Sequence, residues 1–367
     1  MMRLEPGLRK GVMRVPVSKS HAHRVLIAEF LAGRLSSLGD GDGECDDIRA
    51  TKRCLRALAA NASELDCGES GTTRRLLGPV AAALGRTVQW VMRGRLAVRP
   101  QMDYTDMKAG VFSLPGDVSS QFVSGLLFAL PVLKGDSEIR LTTPLASRGY
   151  VEMTLKVLRE YGVAFTETET GFLVPGNQTY QAPVAGPVIE TDWSGAAFGL
   201  ALTHLGNEVV FPEDAGRGLL TTSTQPDRVV GDLLDALKAK GTVTLDVDEC
   251  PDSFPILSIA AAARADETIF TGTRRLKLKE SDRTAAMADV LARFGVRTET
   301  EENRFLVHGT GKPFTGGAFT SYGDHRIAMS IAAGATRADG VVEIDDTACA
   351  AKSYPTFFED FGKLARV

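Results

Sequence analysis

Apolar residues recur at i, i+3 and i+4 along two stretches, 151–161 and 281–294, the pattern of a helix with one buried stripe. In both, a glycine (Gly162, Gly295) follows the last apolar position, where a left-handed residue commonly ends a helix. Beyond each glycine lies threonine-rich sequence that predicts a hairpin of short strands. Helices are also predicted over 22–31, 47–58, 73–84, 120–130, 194–205, 225–238, 254–265, 326–336 and 356–364. Helices alternating with short strands make an α/β (α+β) chain.

The two clearest stretches are copies of one another. Val157-Leu158-Arg159-Glu160-Tyr161-Gly162-Val163 is echoed by Val290-Leu291-Ala292-Arg293-Phe294-Gly295-Val296. At the same offset, Phe172-Leu173-Val174-Pro175-Gly176 is answered by Phe305-Leu306-Val307-His308-Gly309. Two related units are therefore present. Between them Pro183-Val184-Ala185-Gly186-Pro187 interrupts every periodicity, which predicts a domain boundary at about 185–195.

Length and composition agree with two ordinary domains. A chain of 367 residues is too long for one core. Its 44% hydrophobic and 24% charged residues are the globular average, which excludes disordered and collagen-like classes. No apolar run reaches the roughly 18 residues of a membrane span. Residues 1–11 have charges but no apolar segment, so no signal peptide is expected and the protein is expected in the cytoplasm. The five cysteines, Cys45, Cys54, Cys67, Cys250 and Cys349, form no C-x-x-C pair, which argues against a disulfide framework or zinc knuckle. His21 and His23 have no companion ligands at usable spacing, so no metal site is expected. A net charge of -4 argues against a nucleic-acid binder.

Candidate chemistry sits in short runs that pair a cation with proton carriers or hydroxyls. Lys279-Glu280-Ser281-Asp282-Arg283 and Gly323-Asp324-His325-Arg326 place a guanidinium, the planar partner of carboxylates and phosphates, beside titratable groups. Upstream lie Ser18-Lys19-Ser20 with Arg24, Gly71-Thr72-Thr73 with Arg75, Arg99-Pro100, and Ser119-Ser120-Gln121. Several fall where a strand meets a helix, whose free N–H groups favour anions. A small, multiply anionic substrate is implied. Seen singly, each run has a plainer reading, with Ser281 or Asp282, or Ser119, as a helix cap, Lys352 as a surface lysine and His325 as a core histidine.

Taken in order, these pieces resemble the 5-enolpyruvylshikimate-3-phosphate synthase family. The matching residues are Ser18-Lys19-Ser20 with Arg24, Asp47-Ile48-Arg49, Gly71-Thr72 with Arg75, Arg99-Pro100, Ser119-Ser120-Gln121-Phe122, Ser147 with Tyr150, Pro251-Asp252, Lys279 to Arg283, Asp324-His325-Arg326, and Ala351-Lys352 with Pro355, over about 14–362. The resemblance implies transfer of the enolpyruvyl group of phosphoenolpyruvate to the 5-hydroxyl of shikimate 3-phosphate, with release of phosphate through a tetrahedral adduct. No metal or organic cofactor is implied. By the same resemblance Asp252 would take the hydroxyl proton and Glu280 would exchange a proton with the methylene carbon, with Lys19 near both and His325 adding a hydrogen bond. Phosphoenolpyruvate would be held by Lys19, Gly71, Arg99, Gln121, Arg283, Arg326 and Lys352. Shikimate 3-phosphate would be held by Lys19, Ser20, Arg24, Ser119, Ser120, Gln121, Ser147, Tyr150, Asp252 and Lys279.

The fold so implied has two domains, each a pseudo-threefold assembly of β-α-β-α-β-β units, with the active site in the cleft between them. The expected division is 17–190 against 1–16 plus 191–367. The sequence departs from the family at Val17, His23, Glu69 and Arg275. It is also short between the helix ending near Leu58 and Gly68, and between Arg99-Pro100 and Ser119, so the N-terminal domain is expected to be trimmed in at least two of its units while the C-terminal domain keeps three. A monomer is expected. A homodimer is the alternative, because lost outer helices would bare apolar surface. No nucleic-acid or membrane partner is expected. The rival readings are a UDP-N-acetylglucosamine enolpyruvyl transferase, for which Cys67 would be the reactive cysteine, a non-catalytic phosphate-ligand binding relative, and a nucleic-acid end-processing enzyme, which the acidic balance disfavours.

Overall fold

The computed structural model describes residues 1–34, 41, 43–212 and 223–367. Along the chain come β1 (Met2–Leu4), β2 (Arg9–Val12), α1 (Lys19–Leu31), α2 (Asp46–Ala59), β3 (Glu64–Gly68), α3 (Gly71–Ala83), β4 (Gln89–Met92), β5 (Val111–Leu114), α4 (Ser120–Ala129), β6 (Ser137–Leu141), α5 (Arg148–Glu160), β7 (Thr166–Thr168) and β8 (Gly171–Val174). Then follow α6 (Trp193–His204), β9 (Glu208–Val210), α7 (Val230–Ala236), β10 (Val243–Asp246), α8 (Phe254–Ala262), β11 (Glu267–Thr271), α9 (Arg283–Arg293), β12 (Arg297–Thr300), β13 (Arg304–His308), β14 (Gly317–Phe319), α10 (His325–Ala335), β15 (Val342–Ile344), α11 (Phe357–Lys363) and β16 (Ala365–Arg366). Each stretch expected to be helical holds a helix. The one expected over 225–238 is divided, a 3₁₀ turn Pro226–Val229 leading into α7, because Pro226 has no N–H and sits best at a helix start.

The chain forms two compact units, Lys19–Glu190 and Met1–Ser18 joined to Thr191–Val367. Val17 bridges to Thr191, and the Asp192 N–H donates to the Pro16 carbonyl at 3.0 Å, which ties residues 16–18 to the second of these.

The repeat in the sequence is a repeat of structure. β5-α4-β6-α5-β7-β8 and β10-α8-β11-α9-β12-β13 have the same order, and each folds into a four-stranded sheet in which a parallel pair is extended by an antiparallel hairpin. α5 and α9 end at Gly162 (φ 70°) and Gly295 (φ 82°). There the N–H of Val163 donates to Leu158 O and that of Val296 to Leu291 O, the closing bond of a Schellman cap.

In the C-terminal unit two further sheets complete the set. β14 and β15 run parallel with β1 antiparallel beside β15, and β2 and β9 run parallel with β16 antiparallel beside β2. α6, α8 and α10 pack on one another inside these sheets. Every residue of α8 and α10 is buried, whereas α7, α9 and α11 bury one face. Phe254 of α8 meets Phe270 and Phe305 edge-on with centroids 5.4 and 5.2 Å away.

The N-terminal unit keeps three mostly buried helices, α1, α3 and α4, with α3 packed on both others. Its shell is thinner. Among the described residues it has the β5–β8 sheet, the parallel pair β3-β4, and α2 and α5 outside. α2 runs into β3 with no room for a hairpin, and β4 is followed by a 3₁₀ turn, Gly94–Val98, and a loop instead of an outer helix and hairpin.

Candidate active site

The starts of the buried helices carry most of the residues singled out from the sequence. Lys19 and Ser20 open α1, Gly71 opens α3, Ser120 and Gln121 open α4, and His325 and Arg326 open α10. Asp252 lies two residues before α8, and Arg283 opens α9. First-turn amides have no backbone partner within their helix, and with the helix dipole this makes such starts favourable to anions.

In the C-terminal unit Arg283 is the centre of a buried charge network. Its Nη1 donates to Asp252 at 2.7 Å, its Nη2 to Glu280 at 3.0 Å, and its Nε to Asp324 at 2.9 Å. Lys279 Nζ adds 3.3 Å to Asp252, and Arg326 lies 3.7 Å from the same carboxylate. Burial alone would lower the Arg283 pKa, but the carboxylates of Asp324, Asp252 and Glu280 outweigh it and raise it. Burial lowers that of Lys279, against the pull of Asp252. Asp324 is fully buried, caps α10 through the Arg326 N–H at 2.9 Å, and accepts from Ser281 at 2.9 Å. Burial would raise its pKa, yet the Arg283 charge holds it below the usual carboxylate range. Arg326 donates from Nε to His325 Nε2 at 3.2 Å and from Nη1 to the Ser194 carbonyl at 2.8 Å. An accepting Nε2 leaves the imidazole proton on Nδ1, 3.7 Å from Asp324. Lys352 ends the 3₁₀ turn Ala348–Lys352, which packs on α10.

The N-terminal unit gathers its residues through hydroxyls and amides. Arg75 Nη1 donates to Gln121 Oε1 at 2.8 Å, and Gln121 Nε2 to the Thr72 hydroxyl at 2.9 Å. A Cβ on Gly71 would lie 3.3 Å from Arg75 Nη1 and 3.5 Å from Arg99 Nη1, so two guanidiniums converge on the bare backbone that opens α3. Lys19 is paired with Asp47 at 3.0 Å, both nearly buried. Ser119 caps α4, and Ser147 opens α5 in the left-handed region (φ 53°), an uncommon conformation for a residue with a side chain.

Arg24, expected to face substrate, is 2% exposed. It donates to Thr154 Oγ1 (2.7 Å), Ser20 O (2.6 Å), Tyr150 O (2.8 Å) and Ser124 Oγ (3.5 Å), and burial pushes its pKa down to about 10. Its geometry is that of a tie between α1, α4 and α5 that fixes the backbone at Ser20 and Tyr150.

Some departures from the family have structural partners. His23 Nδ1 is 2.6 Å from Thr51 Oγ1, which is 2.7 Å from Thr73 Oγ1, which donates to the α3 cap Ser70 at 2.7 Å. Arg275 is held by Asp248 at 2.9 Å. The sequence assigns no role to Asp324, Asp47, Arg75 or Thr72, although each lies within one of the motifs that point to the site. Arg49, from one of the same motifs, pairs with Asp46 on the surface.

Cys67 is buried, its Sγ 3.4 Å from Val91 O, and burial pushes its thiol up to about 11, unlike an activated nucleophile. Among the described residues no group of His, Cys, Asp and Glu is placed to hold a metal ion, and no helix is long and apolar enough to cross a membrane.

Comparison with known proteins decides the family. Residues 95–361 match the model of EPSP synthase (3-phosphoshikimate 1-carboxyvinyltransferase). The chain belongs to the EPSP synthase family. A 3-phosphoshikimate 1-carboxyvinyltransferase of Clostridium kluyveri is 33% identical over 420 aligned positions, covering 98% of this chain and 96% of that one. One from Clostridium perfringens is 32% identical over 425 positions, covering 99% and 98%. The 420 aligned positions exceed the 367 residues of this chain by 53, so this EPSP synthase family member spans its relative with at least that many positions left out. The solved EPSP synthase of Acinetobacter baumannii superposes with a TM-score of 0.74 at 24% identity, covering 100% of this chain and 98% of that one, and shows the two-domain enolpyruvyl transferase fold.

Proposed function

We infer that the chain catalyses the reaction its family is named for, transfer of the carboxyvinyl group of phosphoenolpyruvate to the 5-hydroxyl of shikimate 3-phosphate in aromatic amino-acid biosynthesis. Family membership across nearly the whole chain carries this reading. The chemistry requires a base for the attacking hydroxyl, a proton for the methylene carbon, and cations for two phosphates and a carboxylate.

Asp252 takes the 5-hydroxyl proton as that oxygen bonds to the central carbon of phosphoenolpyruvate, while Glu280 delivers a proton to the methylene. The tetrahedral adduct then loses phosphate as Glu280 takes a proton back from the new methyl group and Asp252 passes its proton to the departing phosphate, restoring the double bond and both carboxyl groups to their starting states. The Arg283 fork lies between the two carboxylates and fixes their separation. Arg283, Arg326 and Lys352 hold the phosphoenolpyruvate anion, with His325 orienting Arg326. Lys19, Gly71, Arg75, Arg99 and Gln121 bind phosphate. Ser20, Ser119, Ser120, Ser147, Tyr150 and Lys279 hold shikimate 3-phosphate, and Arg24 positions Ser20 and Tyr150. The protein acts in the cytoplasm as a monomer.

Purified protein is expected to release phosphate only when both substrates are supplied, without added metal. Equal release with UDP-N-acetylglucosamine in place of shikimate 3-phosphate would overturn the reading, and buried Cys67 already weighs against that rival.

A further inference from the structure

A cavity of about 700 Å³ opens beside α3, on the stripe formed by Arg74, Gly78, Ala82 and Gly85 rather than the one that carries Arg75. That volume is within the roughly 300–1,000 Å³ of small-molecule sites. Its far wall is the loop following β4, where the complete units have an outer helix.

Arg74 is the unusual group here. Its Cζ lies 4.7 Å from the Trp90 ring centroid, so the guanidinium stacks on the indole. A Cβ on Gly78 would come within 2.4 Å of Arg74 Nη1 and 3.3 Å of the Tyr104 ring, so only glycine leaves room for the guanidinium between these groups. Among the described residues no carboxylate forms a close ion pair with Arg74, although the Asp103 charge bears on it, and its Nε, the Tyr104 hydroxyl and Gln101 Oε1 are buried without a hydrogen-bond partner. Buried polar groups are rarely left unpaired in a native structure, and three beside one cavity point to something that enters it. Asp103 also lines the cavity, with its carboxylate accepting from the Thr105 N–H and hydroxyl.

We propose that this cavity is a second ligand site, for a small organic carboxylate, with Arg74 as its anion-binding group. A guanidinium held over a ring by its central carbon can still offer N–H groups for a two-point contact with a planar carboxylate. Tyr104 offers a further donor, and Trp90, Ala82 and Val88 provide apolar surface for the ligand's body. The site is separate from the helix starts described above. Arg74 adjoins Arg75 in the first turns of α3, so a ligand held there bears directly on the helix that presents Gly71 and Thr72.

Benzoate is a suitable probe, with inorganic phosphate as the second arm. In a Trp193→Phe background Trp90 is the one remaining tryptophan and reports the cavity. Benzoate is expected to change its fluorescence saturably, and Arg74→Gln to weaken binding by about tenfold or more, the loss of a charged hydrogen-bonded contact. Ala82→Phe, which fills the cavity and leaves Arg74 in place, should abolish binding, while both variants keep the native circular dichroism spectrum and wild-type phosphate release. Absence of a saturable signal, or equal benzoate affinity in Arg74→Gln, would overturn the site. Arg74-dependent binding of phosphate without benzoate would overturn its assignment to a carboxylate. None of these readings depends on the identity of the substrates, so failure here is distinct from failure of the proposed reaction.

Discussion

Three buried helices stand at the centre of each unit, but they are clothed differently. Among the described residues, α6, α8 and α10 of the C-terminal unit have three sheets and three outer helices around them, and α1, α3 and α4 of the N-terminal unit have two sheets and two outer helices. The helix starts that carry hydroxyls, amides and guanidiniums are present in both. The missing pieces are hairpins and an outer helix, remote from those starts in the order of each unit. Shell and site are therefore separable. A second contrast lies in the charges, since the C-terminal cluster joins three cations to three carboxylates around Arg283, while the N-terminal cluster, beside its single Lys19–Asp47 pair, relies on neutral partners such as Gln121, Thr72 and Ser124.

The sharpest test of that contrast removes basicity alone. Glu280→Gln and Asp252→Asn keep shape, and loss of general acid–base action typically lowers rate about 10²- to 10⁴-fold. Turnover should fall by that much while shikimate 3-phosphate binding changes little. Hydrogen exchange at the phosphoenolpyruvate methylene in labelled water should stop in Glu280→Gln, and wild-type exchange would move that proton to another residue.

Next in size is Asp324→Asn, which deprives the buried Arg283 guanidinium of one of its carboxylates. Breaking a buried pair from one side costs about 3–5 kcal/mol. Denaturant unfolding should show the C-terminal unit melting first, with the N-terminal unit unchanged; a uniform shift of both would erase the distinction. In the N-terminal unit Gly125→Ala is the counterpart, because its Cβ would lie 2.4 Å from the Arg75 carbonyl and 2.9 Å from Pro79. Forcing α3 and α4 apart should cost about 1–3 kcal/mol and raise KM for phosphoenolpyruvate more than it lowers kcat.

The smallest expected effect is a pH dependence confined to the N-terminal unit. Burial lowers the His21 pKa from 6.5 to about 4. The unfolded chain therefore binds a proton that the folded one does not, so stability is full above pH 6.5 and falls as pH drops toward about 4, by at most about 1.4 kcal/mol per unit. His21→Gln should flatten the change in urea midpoint between pH 7 and pH 5, and an unaltered slope would show that other groups carry it.

Much of this was legible in the sequence where local chemistry decides the outcome. The repeat, the glycine caps at Gly162 and Gly295 and the helix positions follow from periodicity, and the short segments after Leu58 and Arg99 foretold where strands would be missing. Tertiary partners were not legible. Nothing local says that Asp324 caps α10 while closing on Arg283, that Asp47 meets Lys19, or that Arg24 lies beneath its helix, because each depends on elements about 30 to 130 residues apart meeting in space. His23 looked like a departure and proves to be one end of a hydroxyl chain ending at the α3 cap.

The pairing of β2 sets an order of events during synthesis. Residues 9–12 find their neighbours at 208–210 and 365–366, and β1 finds its own at 342–344. Among the described residues, the strands within 19–190 have their sheet partners among themselves. At about 5–20 residues per second, roughly 20–70 seconds separate the emergence of β2 from that of β16. While residues 19–190 emerge, β1 and β2 have no sheet partner yet and the N-terminal unit is already able to close. The sheet that holds β2 is completed only when β16 arrives.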